Sequence, residues 1–270
     1  MTAAAPRDFP LSRALALGLL AGVMAGLFGV GGGIVLVPGL VLVAGLGQHQ
    51  AHATSLAAII VTAPAALLPF AMDGAVSWPA AAALAVGSLA GAIGGAEVMR
   101  RIPADRLRVV FGVFMLLMAV RLVLPGGGGE DGVVSLTTLA LAGLLVTGLA
   151  TGLLSALLGV GGGVVMVPAM VLGFGFGQHL AEGTSLAVII PTAIVGAWRH
   201  GRNGYTRWRA GLTVGAGGIA GGLLGGLLAQ RLPADILQTA FAVLLVTAGV
   251  RLVRRGRQSN EVSGAGSITK

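Results

Sequence analysis

The feature that most constrains this chain is a duplication. Shifted by 130 residues, Leu19 to Val123 aligns with Leu149 to Val253 without a gap, at roughly 40% identity. Gly29-Val30-Gly31-Gly32-Gly33 with Pro38 recurs as Gly159-Val160-Gly161-Gly162-Gly163 with Pro168, and Gln48-His49 recurs as Gln178-His179. Thr54-Ser55-Leu56-Ala57 returns as Thr184-Ser185-Leu186-Ala187, Thr62 as Thr192 and Trp78 as Trp208. Whatever one half folds into, the other folds into as well.

The solvent of that fold follows from its residues. With 56% apolar residues, 10% charged and a mean hydropathy of +0.95, the chain has too little polar surface to coat a water-soluble globule, so lipid is its solvent. The 47 glycines and scarce aromatics suit close backbone approach between membrane helices. The net charge of +8 comes from arginines in short clusters between apolar runs, which set topology and exclude a nucleic-acid partner. There is no cysteine for disulfides, thiol catalysis or metal ligation.

Each copy reads as five apolar helical segments: about 12–29, 34–46, 53–72, 79–99 and 105–124, then about 136–159, 164–176, 183–198, 209–230 and 235–253. The second of each five is too short to cross a hydrocarbon core of about 30 Å, which makes it a half-helix or one arm of a re-entrant hairpin. The organisation is therefore a transmembrane repeat over 1–124, a polar linker over 125–134, a second repeat over 135–255 and a disordered tail over 256–270. The long run from Leu11 to Leu46 exceeds a signal-peptide core and reads as retained structure.

Basic residues cluster at Arg7 and Arg13, Arg100 to Arg108, Arg199 to Arg209 and Arg251 to Arg257, whereas the turns near Asp73, Glu130-Asp131 and Arg231 to Asp235 carry at most one. Equivalent loops thus differ in charge: Arg199 to Arg209 corresponds to the nearly uncharged Pro69 to Pro79. The positive-inside rule then gives an all-α transmembrane bundle of two inverted-topology repeats with glycine-broken helices, both termini cytoplasmic, in a cell membrane. Four crossings per copy, in parallel repeats, is the competing count.

The glycine runs fail as dinucleotide motifs, because no strand precedes them and no acidic residue follows at the right distance. In a membrane they let the backbone unwind, so that the helices starting near Ile34 and Val164 aim partial positive charge at a cavity suited to an anion. The candidate substrate-binding residues are Gly29, Gly31, Gly32, Gly33, Pro38, Gly159, Gly161, Gly162, Gly163 and Pro168. The other reading of these glycines is tight helix crossing. Thr54, Ser55, Thr184 and Ser185 are read as opening the next helix, either capping its amides or binding ligand oxygens. Thr62 and Thr192 lie farther along, facing the same cavity or bonding their own backbone.

His49, His52 and His179 fall in turns without a metal-ligand pattern, and His200 belongs to a basic loop. No carboxylate is read at mid-membrane, which leaves proton or sodium coupling without a carrier. No catalytic cluster, metal site or cofactor motif is found, so the chain is not read as an enzyme.

The paired Gly-Val-Gly-Gly-Gly to Pro patterns, each followed by Thr-Ser-Leu, resemble the sulfite exporter TauE/SafE family over nearly the whole chain. That resemblance implies a permease for small sulfur-containing or organic anions, such as sulfite, sulfoacetate or related carboxylates. The expected function is a secondary transporter whose partners are a small anionic solute and the bilayer. The alternatives are a passive anion channel and a scaffold or receptor subunit; oligomeric state is unassigned.

Overall fold

The protein was analysed as a computed structural model, which describes residues 10–99, 104–124, 137–158 and 162–265. These residues form ten helices: α1 Leu11–Phe28, α2 Gly33–Ala44, α3 Gln48–Met72, α4 Trp78–Met99, α5 Ala104–Val123, α6 Thr138–Leu158, α7 Gly163–Phe174, α8 Gln178–Arg202, α9 Trp208–Arg231 and α10 Ala234–Ala265. Five of them, α1, α3, α8, α9 and most of α10, are long and apolar enough to cross a membrane. Large apolar side chains such as Leu42, Met72, Leu139 and Val146 stand on the outside of the bundle, where lipid would cover them. The chain is a polytopic helical membrane protein.

The linker lies outside the described residues, as do Arg7, Arg100 and Arg101. α10 departs from the expected boundary: it continues as helix to Ala265, past Gly256, where a disordered tail was expected. One glycine costs a helix only about 1 kcal/mol, too little to stop a helix already propagating.

α2 and α7 each have twelve residues, about 18 Å of helix, and stop well short of a full crossing. Both end on a left-handed glycine, Gly45 at φ 64° and Gly175 at φ 70°. The next residue then reaches back to the last turn, Leu46 N–H donating to the Leu40 carbonyl and Phe176 N–H to that of Met170.

Helix pairing crosses between the copies. α1 packs on α9 and, equivalently, α6 on α4, while α5 meets α10 and α3 meets α8. Glycine makes the first two contacts close: a Cβ on Gly22 would lie 2.5 Å from the Gly218 carbonyl oxygen, and Gly91 sits as tightly against the Leu149 carbonyl. Along α1 the contacts run Gly18 to Val214, Gly22 to Gly218 and Gly26 to Gly222, so α1 and α9 are parallel. α3 and α8 run the other way. His52 stacks edge-on to His200 at 5.5 Å, Leu56 meets Gly196, and Phe70 meets Gly183, so numbers rise along one helix as they fall along the other.

Candidate functional site

The first glycine run is the joint between α1 and α2. Gly29, Gly31 and Gly32 have φ of 65°, 69° and 74°, a left-handed conformation that costs an L side chain roughly 1–2 kcal/mol each. Gly29 closes α1 by donating its N–H to the Ala25 carbonyl at 2.9 Å. Gly32 opens α2, its carbonyl receiving Val35 N–H at 3.0 Å and Leu36 N–H at 2.9 Å. The amides of Gly33 and Ile34 come before these first helical bonds, and Gly29 to Gly33 are all buried.

The second joint repeats the pattern where it is described. Gly162 opens α7, its carbonyl receiving Val165 N–H at 3.1 Å and Met166 N–H at 3.0 Å. Its φ is −64°, so Gly162 does not use the conformation that requires glycine at Gly32. Gly159 and Gly161 lie outside the described residues.

The two joints touch. A Cβ on Gly163 would lie 2.6 Å from the Gly29 carbonyl oxygen and 2.7 Å from the Val30 Cα. Gly31 packs against Ile189 of α8 and Ile59 of α3. The starts of both half-helices therefore converge inside the bundle, between the antiparallel α3 and α8.

Four of the hydroxyl assignments change. α3 and α8 begin six residues before Thr54 and Thr184, at Gln48 and Gln178, behind the extended caps Gly47 and Gly177. Thr54, Ser55, Thr184 and Ser185 therefore sit in the second turn and do not open the helix. All four are fully buried. Thr184 Oγ1 accepts the Ser77 N–H at 3.0 Å, just ahead of α4, and Thr54 Oγ1 accepts the Arg207 N–H at 3.2 Å, just ahead of α9. Each copy thus caps the fourth helix of the other. Ser185 Oγ donates to the Gly29 carbonyl at 2.8 Å, tying α8 to the first joint, whereas Ser55 Oγ donates to His52 in its own helix at 2.7 Å.

Thr62 and Thr192 bond their own backbone. Thr62 Oγ1 donates to the Ala58 carbonyl at 3.1 Å, and Thr192 Oγ1 to those of Val188 and Ile189 at 3.0 and 2.9 Å. Thr62 also lies under Gly218, in the α3–α9 contact. Pro38 is exposed on the outer face of α2, while Pro168 is buried in α7. The histidines read as turn residues are helical. His179 Nε2 reaches the Ala229 and Leu232 carbonyls at 3.1 and 3.2 Å, at the end of α9.

The bundle also holds a buried carboxylate where none is expected from the sequence. Glu182 is completely buried, one turn inside α8, and its Cα lies against Gly29. Gln178 Nε2 donates to its Oε1 at 2.7 Å. Its sequence signal is an acidic residue at the head of an apolar run, inside a helix that begins at Gln178 and not at residue 183.

The profile of the sulfite exporter TauE/SafE family matches residues 14–155 and again residues 144–269. The chain belongs to the TauE/SafE family. Among its relatives, a protein of Bacillus subtilis named probable membrane transporter protein YunE is 29% identical, over 89% of this chain and 96% of its own length. A probable membrane transporter protein of Xylella fastidiosa is 30% identical over 88% of this chain and 93% of its own, and one of Haemophilus influenzae is 26% identical over 88% and 96%. No solved structure matches this TauE/SafE chain.

Proposed function

We propose that this protein is a secondary transporter of small anions, in the class of sulfite, sulfoacetate and related carboxylates, built from two inverted-topology repeats with both termini in the cytoplasm. The observation that carries the reading is the meeting of Gly29 and Gly163, which brings two buried half-helix starts together. Amides at such starts point out of the helix with partial positive charge, the arrangement that receives an oxyanion. The names of the relatives and the family's description support transport and sulfur oxyanions respectively.

Inversion is supported by α3 and α8. They are equivalent helices, and equivalent helices of parallel repeats run in the same direction, whereas these two are antiparallel. Rocking one copy against the other about the paired joints would expose the site alternately to each side.

Purified protein in vesicles, loaded and challenged with sulfite, sulfoacetate and acetate in turn, tests this. Saturable flux and counter-transport of at least one anion are expected. Non-saturating conductance would instead assign a channel, and no flux of any of the three would remove the anion reading. Gly32→Val is expected to abolish flux while the protein still inserts.

A further inference from the structure

We propose that Glu182 and Gln178 form a proton-binding site that couples anion movement to a proton gradient; this rests on the anion reading above and adds its driving ion. Glu182 and Gln178 are both completely buried, one helical turn apart on α8, and joined by one hydrogen bond of 2.7 Å from Gln178 Nε2 to Glu182 Oε1. Two atoms of this pair have no hydrogen-bond partner among the described residues, Glu182 Oε2 and Gln178 Oε1. Both are acceptors. A single proton on Glu182 Oε2 converts it to a donor, and Gln178 Oε1 is the acceptor its own neighbour supplies, as in a paired acid and amide. Without that proton the pair holds two buried acceptors and an uncompensated charge, the costly arrangement.

Among the described residues no cation replaces the proton in this setting. Of the elements packed on α8, α3 carries His49 and His52, which lie beside Tyr205 and His200 toward the opposite end of α8. α9 carries Arg209 and Arg231, α10 carries Asp235, Arg251 and Arg254, and Asp73 precedes α4; none of them bonds Glu182 among the described residues, and the side chains of Arg255, Arg257 and Glu261 on α10 lie outside those residues. α7 carries no titratable side chain, the Glu97 side chain of α4 lies outside the described residues, and α1, which Gly29 caps, has Arg13 at its far end. On α8 itself, His179 turns to α9, and Arg199, His200 and Arg202 occupy the last turns.

The site is placed to sense the anion. The Glu182 backbone touches Gly29, and Ile189, which touches both Gly31 and Gly163, lies seven residues on, about 10 Å along the helix. A negative carboxylate and an anion repel across that distance in a low-dielectric interior, so each favours the presence of the proton. Proton and anion therefore load together and move in the same direction.

The test uses labelled sulfoacetate and protein in vesicles, with the voltage held at zero by potassium and valinomycin. Wild type is expected to accumulate the label about tenfold per unit of pH gradient for one proton per anion. Glu182→Gln should lose that accumulation and continue exchange at a rate that no longer follows pH. Infrared difference spectra, independent of any substrate, should show a carboxylic acid stretch that titrates in wild type and is missing in Glu182→Gln. Accumulation by Glu182→Gln equal to wild type, or no titrating stretch assignable to Glu182, overturns the proton site. Failure of wild type to move sulfoacetate while the stretch titrates overturns the anion reading for that solute and leaves the proton site standing.

Discussion

Gly32 and Gly162 occupy the same place in the two copies, yet substitution should affect them unequally. At Gly32 any side chain meets a left-handed φ of 74° and the Ala21 carbonyl oxygen 2.6 Å from its Cβ, so even Gly32→Ala is expected to destabilise the protein by roughly 1–3 kcal/mol. At Gly162 the φ is ordinary, and the Cβ meets the flexible end of Met166. Gly162→Ala should therefore cost less, and thermal melting of both variants in detergent will order them. Ser185→Ala removes the bond to the Gly29 carbonyl and leaves a buried acceptor behind, at a cost of about 1–3 kcal/mol. Equal melting of this variant and wild type would show that the tie between α8 and the joint carries no weight. At this scale the sequence identified glycines that bend the chain and the two hydroxyls, Thr62 and Thr192, able to bond their own backbone, but it placed Thr54, Ser55, Thr184 and Ser185 at helix starts that lie six or seven residues earlier. The reason is local: Gly47 and Gly177 begin α3 and α8 with extended backbone and no capping side chain, so nothing in the residue string marks those starts.

Among the elements, α9 depends most on its neighbours. It packs against α3 along Gly211, Gly215, Gly218, Gly222 and Gly226, and against α1 along Gly217, Gly221 and Gly225. So many glycines would unravel such a helix in water; in lipid the backbone has no other bonding partner, and the missing side chains let two helices approach it. Gly22→Leu, which drives a side chain into the α9 backbone, is expected to cost roughly 1–3 kcal/mol and lower the yield of folded protein in size-exclusion profiles. A truncation on the outer surface, Leu42→Ala, should leave the profile unchanged. Element order and number were legible from hydropathy alone, including the short α2 and α7, because apolar runs and glycine breaks are local properties. The choice of partner, α9 for α1 and α4 for α6, was not, since hydropathy ranks every apolar face as equally suited to every other.

For the whole molecule, the absence of native cysteine makes topology directly measurable. Asp73 and Asn203 follow the equivalent helices α3 and α8, so Asp73→Cys and Asn203→Cys should be labelled by an impermeant thiol reagent from opposite sides of the membrane. Labelling from the same side would falsify the inverted arrangement. The sequence by itself determined the solvent, the duplication and the places where helices break, because composition, repetition and glycine conformation need no knowledge of distant residues. Only the tertiary structure decided that Gly29 lies against Glu182 and Gly163, and that Thr54 and Thr184 cap helices of the opposite copy. Those contacts join residues more than a hundred positions apart, and they exist because helices of one half pack on helices of the other, α3 antiparallel to α8, an energy shared between the halves and written in neither.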